Sequence, residues 1–315
     1  MCMNKKKVII SILLLICIII FSSKFIINII EDNDSNKVFV IGMSQANLYE
    51  PWRISMYNEI KEAAKKYDNI KVIYKDAGGD TDKQKKDIEN LIDFGADLLI
   101  VSINDSEKLE SVVKKAYESV PVIMLDRAVE GYDYTLYIGS DNEAIGRKAG
   151  ELVVEACKGK KTNVVEIQGF LNSNPDEERS KGFKEVIENE KNINIERTVV
   201  AEWQKDVAQD KIENIIKEER DIDVIFAHSD YMALGAYNAL EKLGIDNVKI
   251  IGVDGLPGYN GGIELVNRGI LYGTFTCPTG GKEAIDYAIK ILNKEEVPKK
   301  VILEWKSIIK GWFYK

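Results

Sequence analysis

The chain of 315 residues is long enough for about two domains of ordinary size, each with its own hydrophobic core. Its formal net charge of -8 and pI near 5.1 argue against a nucleic-acid-binding protein, since the only basic block is Lys5 to Lys7. Cys2, Cys17, Cys157 and Cys277 form no CxxC motif or closely spaced pair, which argues against a disulfide framework or a zinc site.

The first element in chain order is an apolar N-terminal segment of roughly membrane-spanning length that three lysines precede, KKKVIISILLLICIIIFSSKFIINII. This order predicts a signal anchor over residues 8–30 and a cell-membrane protein that faces the extracytoplasmic side. A cleaved secretory signal is the first alternative, but residues 21–24 fit a small-residue cleavage site poorly. A lipid-modified Cys17 is the second alternative, but Ile16 stands where a small residue is needed.

A short polar segment, EDNDSNK, follows the anchor and is interpreted as a tether. Its spacing of Asp and Asn is similar to that of a calcium loop, but the central Gly and the distal Glu are missing. Residues 1–37 are therefore predicted to be an anchor and a tether, and no metal site is expected.

Short apolar runs then alternate with longer amphipathic stretches, a pattern typical of repeated strand-helix units and a parallel sheet. The first series of predicted strands is KVFVIGMS, IKVIYKD, ADLLIVS and PVIMLD, with helices at about 52–66, 83–94 and 109–118 between them. The second series is TNVVEIQG, INIERTVVAEW, DVIFAHSD and VKIIGVD, with helices at about 177–188, 208–217 and through Leu240. The segment YTLYIGSDN is interpreted as the connection between the two series.

These two series predict an α/β protein of two doubly wound parallel-sheet lobes that a hinge joins. The predicted first lobe comprises residues 38–140 and 278–302, and the second comprises residues 141–277 and 303–315. Ligands of open parallel sheets bind beyond the carboxyl ends of the strands. Binding residues are therefore expected directly after the apolar runs.

The residues at these strand ends are polar, planar and aromatic. They are Ser44, Trp52 and Arg53 after the first run, Asp126 and Arg127 after the fourth, then Arg179, Trp203, Ser229 and Asp254 in the second half. Carboxylates accept from vicinal hydroxyls, guanidinium groups donate to hydroxyl and ring oxygens, and indole rings stack on the apolar face of a sugar. This chemistry favours a neutral polyhydroxylated ligand over a phosphate.

Each of these residues also has a purely structural alternative. Asp126 and Arg127 could form a salt bridge at the end of a strand. The tryptophans could belong to the core, the other arginines could be solvated helix residues, and Asp254 could cap a helix. Their joint occurrence at equivalent strand ends is what favours a binding site.

The chain from about Val38 to its end resembles the type I periplasmic-binding-protein family, in the ribose, galactose and galactofuranose-binding branch. The residues that carry the resemblance are SQ and PWR around 44–53, LDR at 125–127, NVVEIQG at 163–169, ERSKGF at 178–183, AHSDYMALGA at 227–236 and IGVDGLPG at 251–258. This ordered set, over nearly the whole chain beyond the tether, is far more specific than any one motif.

The resemblance implies a role for each of these positions. Asp126 and Arg127 would clamp sugar hydroxyls from the first lobe, with Trp52 stacking nearby. Arg179, Trp203 and Asp254 would act from the second lobe. Two positions depart from the family pattern, because Ser229 stands where Asn is common and Thr276 where ribose binders have Gln. The shorter side chains at these two positions leave the identity of the sugar open. A pentose is preferred, and xylose is the single sugar predicted.

No enzymatic activity and no cofactor are expected, because the chain has no GxSxG, HExxH, P-loop or GxGxxG motif. The single histidine, His228, lies inside a predicted strand and is assigned a structural role. A glycosidase carboxylate pair is the enzymatic alternative that so acidic a sequence leaves open.

The expected mechanism is closure of the two lobes on the sugar, which a partner protein must read. The protein anchor favours a membrane sensor histidine kinase of a two-component system, an arrangement similar to that of xylose-responsive binding proteins with a LytS-type kinase. An ABC permease that receives the sugar is the alternative partner. A LacI-like repressor is disfavoured, because residues 1–37 offer no helix-turn-helix.

Overall fold

The computed structural model describes residues 37–171, 173–218 and 221–310. The predicted anchor and most of the tether lie outside these residues, so both stay predictions. Within the described part, twelve strands and nine helices form two α/β units. The predicted fold class is confirmed: each unit is a six-stranded sheet with helices on both faces.

The first sheet has the strand order β11-β5-β4-β3-β1-β2, and all its pairs are parallel. Its strands are β1 (Phe39–Gln45), β2 (Ile70–Asp76), β3 (Leu98–Ser102), β4 (Val122–Leu125), β5 (Leu136–Ser140) and β11 (Lys300–Leu303). Its helices are α1 (Pro51–Ala64), α2 (Thr81–Asp93), α3 (Ser106–Tyr117) and α9 (Gly281–Leu292). Helices α1 and α9 bury apolar residues against one face of the sheet, and α2 and α3 against the other.

The second sheet has the strand order β12-β10-β9-β8-β6-β7. Its strands are β6 (Thr162–Gln168), β7 (Ile193–Val200), β8 (Val224–Ala227), β9 (Lys249–Asp254), β10 (Gly273–Thr276) and β12 (Ser307–Ile309). Its helices are α4 (Asn142–Cys157), α5 (Asn174–Ile187), α6 (Lys205–Glu218), α7 (Asp230–Lys242) and α8 (Gly262–Asn267). The edge strand β12 is antiparallel to β10, which is the single departure from a parallel sheet among these pairs.

The chain crosses between the sheets three times, directly after β5, between β10 and α9, and between β11 and β12. The segment predicted as a mere connection is a strand, β5, held between β4 and β11. Its run LYIGS is almost wholly buried, as expected of an interior parallel strand. The first crossing therefore begins at Asp141, and Leu303 still pairs in the first sheet.

Several helices begin two or three residues before their predicted starts, because their caps precede the first apolar residue. Asp80 Oδ1 accepts from the amide of Lys83 at 2.9 Å, and Asp105 Oδ1 accepts from that of Lys108 at 3.0 Å. Proline in the first turn starts α1 and α5, where its missing N–H costs nothing. These early starts carry polar residues of the first turns to the carboxyl edge of each sheet.

Candidate functional site

A cleft lies between the carboxyl edges of the two sheets, with about 440 Å3 of empty space including the part open to solvent. This size is within the usual range of small-molecule sites. The residues lining it come from both lobes: Glu50, Pro51, Trp52, Arg53, Asp126, Arg127, Pro175, Arg179, Trp203, Ser229, Tyr231 and Asp254.

Asp126 is the central residue of a tight turn that directly follows β4. The amide of Arg127 donates to the carbonyl of Leu125 at 2.9 Å and closes the turn. Asp126 has φ 72°, a left-handed conformation that non-glycine residues rarely adopt. Its own amide donates to Ile138 at 2.8 Å, and its carbonyl accepts from the Tyr137 hydroxyl at 2.9 Å. These bonds hold the strained residue with its side chain on the cleft.

Two buried guanidinium groups flank the Asp126 carboxylate. Arg53 Nη2 lies 3.5 Å and Arg127 Nε 3.8 Å from Asp126 Oδ2, both long for a charge-assisted bond. Other contacts hold the two arginines, since Arg53 Nη1 donates to Ser102 Oγ at 2.8 Å and Arg127 Nη1 to Asn104 O at 3.0 Å. Burial and the neighbouring Arg53 charge lower the pKa of Arg127 to about 10, against the opposing charge of Asp126. The pair therefore does not close into a tight salt bridge.

Arg179 plays the corresponding part in the second lobe. It projects from α5, and its Nε donates to Asn142 Oδ1 at 2.9 Å, while Nη1 donates to the carbonyl of His228. Nη2 lies 3.2 Å from Cys277 Sγ, which is at the second crossing between the sheets. A single guanidinium thus connects α5 with the start of α4, with the residue that follows β8, and with the segment of the second crossing.

Trp203 forms a wall of the cleft in a strained conformation. Its φ is 61°, that of the preceding Glu202 is 54°, and its side chain is buried. A Cβ at position 169 would come within 2.0 Å of the indole ring, so only glycine fits there. The Arg179 guanidinium lies 5.8 Å from the centre of the ring. The ring is therefore fixed before any ligand arrives, which lowers the entropy cost of stacking.

Trp52 and Asp254 approach the cleft from opposite lobes. The Trp52 indole Nε1 donates to the carbonyl of Cys277 at 2.6 Å, so this first-lobe ring is anchored on a crossing segment. Asp254 ends β9 with φ 125°. Burial raises the pKa of Asp254 well above its usual value, and the charge of Asp230 adds to the effect. Ser229 caps α7, since its Oγ accepts from the amide of Met232 at 3.1 Å.

Three cleft-lining side chains carry buried N–H groups that hydrogen-bond to no other atom in the described part of the chain. They are Arg53 Nε, Arg127 Nε and Trp203 Nε1. A buried donor left unpaired costs about 1 to 3 kcal/mol. Donors of this kind, next to carboxylates, match a ligand that offers both hydroxyl hydrogens and oxygen acceptors.

Eight of the ten site residues predicted from the sequence line the cleft. The other two, Ser44 and Thr276, do not line the cleft. Ser44 is buried inside β1, where its Oγ accepts from Gln84 Nε2 at 3.4 Å, and Thr276 Oγ1 accepts from the amide of Lys306 at 2.8 Å. Ser44 lies within β1, before the edge of the sheet that faces the cleft. The Thr276 hydroxyl is taken up by its bond to Lys306 in the third crossing.

Sequence reasoning missed four lining residues, Glu50, Pro51, Pro175 and Tyr231. Glu50 is the most informative of them, since it is 8% exposed, and its Oε1 accepts from Asn47 Nδ2 at 2.6 Å. Its Oε2 lies 3.4 Å from Arg53 Nε. The available signal was its place at the helix start, one residue before Pro51.

The two lobes also touch across the mouth of the cleft. Ser106 Oγ, in the first turn of α3, donates to Asn174 Oδ1 in the first turn of α5 at 2.9 Å. This bond links the lobes at a point separate from the chain crossings. The conformation is therefore one in which the lobes meet above the site.

His228 lies in a buried ionic network directly behind the second-lobe half of the cleft. Its Nδ1 is 2.7 Å from Asp176 Oδ1, and its Nε2 is 3.2 Å from Glu166 Oε1. Burial opposes the charge on His228, but hydrogen bonds to the two carboxylates raise its pKa above 6.5. Burial likewise opposes the charge on Glu166, but the His228 bond and further contacts lower its pKa to about 2. The structural role assigned to His228 fits this geometry.

This network predicts a stability maximum in mildly acidic solution. The lowered pKa of Glu166 contributes stability above about pH 4.5 that is lost as the pH falls toward 2. The raised pKa of His228 contributes stability below about pH 6.5 that is lost as the pH rises through its folded value. In urea unfolding from pH 2 to pH 9, we expect Glu166→Gln to lose about 3 kcal/mol at pH 6 and to flatten the acid limb. Glu110→Gln, exposed on α3, is the control, and equal losses in both variants would contradict the prediction.

Two α/β lobes that face each other across a polar, tryptophan-lined cleft define a class of two-lobed ligand-binding proteins. A family model for the periplasmic binding protein domain matches residues 41–296. This chain belongs to that family, in its type I form, with relatives that bind ribose and galactofuranose.

Known relatives support this assignment. The ribose import binding protein RbsB of Bacillus subtilis (strain 168) is 32% identical over 225 residues, which cover 71% of this chain and 72% of the relative. The fructose-binding periplasmic domain of the hybrid two-component system BT1754 has a TM-score of 0.83 and 35% identity, over 86% of this chain and 91% of that one. The arabinose-transporter binding protein of Shewanella sp. ANA-3, bound to L-arabinofuranose, has a TM-score of 0.80 and 25% identity, over 86% and 92%. These relatives are sugar-binding proteins.

The described residues also bear on metal sites and membrane spans. Within residues 37–171, 173–218 and 221–310, no three His, Cys, Asp or Glu side chains are grouped so that they could hold a metal ion. In the same part of the chain, no helix is long and apolar enough to cross a membrane.

Proposed function

We propose that this protein is an extracytoplasmic receptor for a monosaccharide, with a pentose favoured and xylose as the preferred ligand. The observation that carries the proposal is a set of buried N–H donors on Arg53, Arg127 and Trp203 that make no hydrogen bond within the described residues and line one cleft with Asp126 and Asp254. A sugar offers acceptor oxygens to the donors, hydroxyl hydrogens to the carboxylates, and an apolar ring face to the indole rings.

The site residues act from both sides of the ligand in this proposal. Asp126 and Arg127 hold the sugar on the first lobe, and Arg179, Ser229 and Asp254 complete the site from the second. Sugar stabilises the closed arrangement because only that arrangement makes both sets of contacts. The Ser106–Asn174 bond at the cleft mouth supports this mechanism, because it forms only when the lobes approach.

A thermal-shift panel tests the ligand. We expect the full chain, solubilised in detergent, to gain several degrees in melting temperature with a pentose at a concentration well above its dissociation constant. The panel contains D-xylose, D-ribose, L-arabinose and D-fructose, and L-xylose controls for non-specific stabilisation by an excluded cosolute. Equal shifts with D-xylose and L-xylose, and no larger shift with any other sugar, would contradict the proposal.

We further propose that the receptor signals to a membrane sensor histidine kinase of a two-component system. The similarity to the fructose-binding domain of a hybrid two-component system supports this choice, as does the apolar N-terminal segment that predicts a stable anchor beside the partner. The 32% identity to a ribose import binding protein favours the second candidate, delivery of the sugar to an ABC permease.

A deletion strain separates the two partners. If the protein is a sensor, loss of the gene abolishes the transcriptional response to the sugar. Restoring sugar entry through an unrelated permease should then leave the response absent. Lost uptake together with a normal transcriptional response would defeat the sensor proposal and support delivery to a permease.

A further inference from the structure

Asp230 is a buried carboxylate that lies beneath the cleft and does not line it. It is 3% exposed and begins α7, directly after the cleft residue Ser229. Its position in the sequence suggests an ordinary helix-start aspartate, but the helix cap is Ser229. The Asp230 carboxylate is therefore free to bond to other elements.

The Asp230 carboxylate joins two neighbouring strands of the second sheet. Oδ1 accepts from the Thr274 hydroxyl of β10 at 2.6 Å, and Oδ2 accepts from the amide of Gly255, directly after β9, at 2.7 Å. Two glycines leave the space that it fills, because a Cβ at Gly252 or Gly262 would lie 2.2 or 1.9 Å from its oxygens. The surroundings are thus fitted to a carboxylate at this point.

The amide that Asp230 holds belongs to the residue that follows Asp254. Asp254 has φ 125° and Gly255 has φ 57°, so both residues of this turn are in conformations that L side chains rarely adopt. A hydrogen bond to a carboxylate at this turn offsets part of the strain. Without it, the backbone that aims Asp254 at the cleft is free to relax.

We propose that Asp230 is a positioning residue for sugar binding, which holds the Gly255 amide, keeps Asp254 directed into the cleft, and acts on the Asp254 carboxyl as a neighbouring charge. This inference rests on the proposed sugar-binding function. It adds a residue that touches no ligand, but on which the second-lobe carboxylate depends.

The electrostatic part of the proposal follows from the groups around Asp254. The charged and titratable side chains that face it come from α5, α7, the start of α1, the turn after β4 and the second crossing: Arg179, Asp230, Glu50, Asp126 and Cys277. Burial raises the pKa of both Asp230 and Asp254, and the Asp230 charge raises that of Asp254 further, while Arg179 opposes both shifts. Asp254 therefore keeps its proton to a higher pH than an isolated aspartate does, and a protonated carboxyl both donates to and accepts from a sugar hydroxyl.

The Asp230→Asn variant tests the charge while keeping the shape. The amide oxygen of asparagine can still accept from the Gly255 amide, and its nitrogen can donate to Thr274 Oγ1. We expect the pH midpoint of the sugar-affinity profile, measured by calorimetry on the full chain, to move down, because the Asp230 charge no longer raises the pKa of Asp254. In an Asp254→Asn background, the same substitution is expected to leave the profile unmoved.

The Asp230→Ala variant tests the hydrogen bond between Asp230 and the Gly255 amide. Losing the bond to Gly255 is expected to weaken affinity by about tenfold to a hundredfold, with Asp230→Asn recovering most of that loss. The matched control is Asp223→Asn, an aspartate at the other end of β8, whose Oδ2 accepts from the amide of Asn163 at 2.8 Å. We expect this control to keep both the affinity and the pH midpoint.

The outcomes separate this inference from the proposed function. A wild-type chain that binds no sugar contradicts the proposed function and the inference with it. A wild-type chain that binds sugar, with unchanged affinity in the Asp230→Ala variant or an unchanged pH midpoint in the Asp230→Asn variant, overturns the inference alone. Because asparagine preserves both hydrogen bonds, the pH midpoint of the Asp230→Asn variant decides the matter even if Asp230→Ala does not fold.

Discussion

Replacing Asp126 with asparagine is expected to weaken sugar binding by about a hundredfold or more, while the lobes stay folded. The carboxylate lies between Arg53 and Arg127 at distances of 3.5 and 3.8 Å, too long to exhaust its hydrogen-bonding capacity. Each charge-assisted bond to a sugar hydroxyl contributes roughly 1.5 to 3 kcal/mol, so losing two of them accounts for this effect. Isothermal titration calorimetry with the sugar that the thermal panel selects measures it.

Asparagine is the informative substitution because it tolerates the backbone at this turn. Asp126 has φ 72°, and asparagine visits the left-handed region more readily than most residues. Alanine would also abolish binding, but it would add backbone strain and leave two buried guanidinium groups without their carboxylate. The control is Asp133→Asn in the same loop, a half-exposed residue whose Oδ2 lies 3.4 Å from Lys114 Nζ. Retained affinity in the Asp126→Asn variant would show that the turn is structural.

The second large effect is expected at Arg179, where lysine should weaken sugar binding by about a hundredfold. The guanidinium reaches Asn142 Oδ1, the His228 carbonyl and Cys277 Sγ at the same time, and a single ammonium group cannot reproduce that fork. Lysine would leave buried acceptors unpaired at about 1 to 3 kcal/mol each. The lobe that carries Asp254 would also lose its tie to the crossing segments.

Calorimetry together with small-angle scattering measures both parts of this prediction. The Arg179→Lys variant should bind sugar weakly and show a smaller ligand-induced compaction. Arg147→Lys is the matched control, because that partly exposed arginine of α4 pairs with Glu143 of the same helix and with Glu185 of α5. Wild-type affinity and compaction in the Arg179→Lys variant would refute its proposed role.

The alternation of apolar runs and amphipathic stretches predicts the two-lobed fold well. Strands such as LLIVS and VIML are fully buried on both faces, so they read as continuous apolar runs. The weaker points are β5 and the helix starts. Strand β5 is defined by its pairing with β4 and β11, which lie at other points of the chain, whereas Asp80 and Asp105 cap their helices through residues two or three positions further on, a local signal that precedes the first apolar residue. The short β12 has no periodic pattern of its own and is defined by pairing with β10.

The candidate site was predictable where a side chain directly follows a strand. Asp126, Arg127, Ser229 and Asp254 all lie at the carboxyl ends of strands and all line the cleft. Ser44 does not follow a strand but lies within β1, one residue before its end, and its side chain is buried in the lobe. Glu50 directly precedes Pro51 at the start of α1, a position that marks a helix start in the sequence but does not show that the residue lines the cleft.

The sequence by itself determined the eight strands of the two series with the helices between them, the edge of each sheet where ligand residues gather, and the polar and aromatic chemistry of that edge, because these follow from local periodicity. Only the tertiary structure decided which conformation Asp126 and Arg127 adopt and which side chains surround them. The strained turn at Asp126, the second guanidinium from Arg53 and the Asp230 carboxylate behind Asp254 all bring together residues far apart in the chain. Such contacts depend on how helices pack on sheets and how the two lobes meet, and no local pattern encodes them.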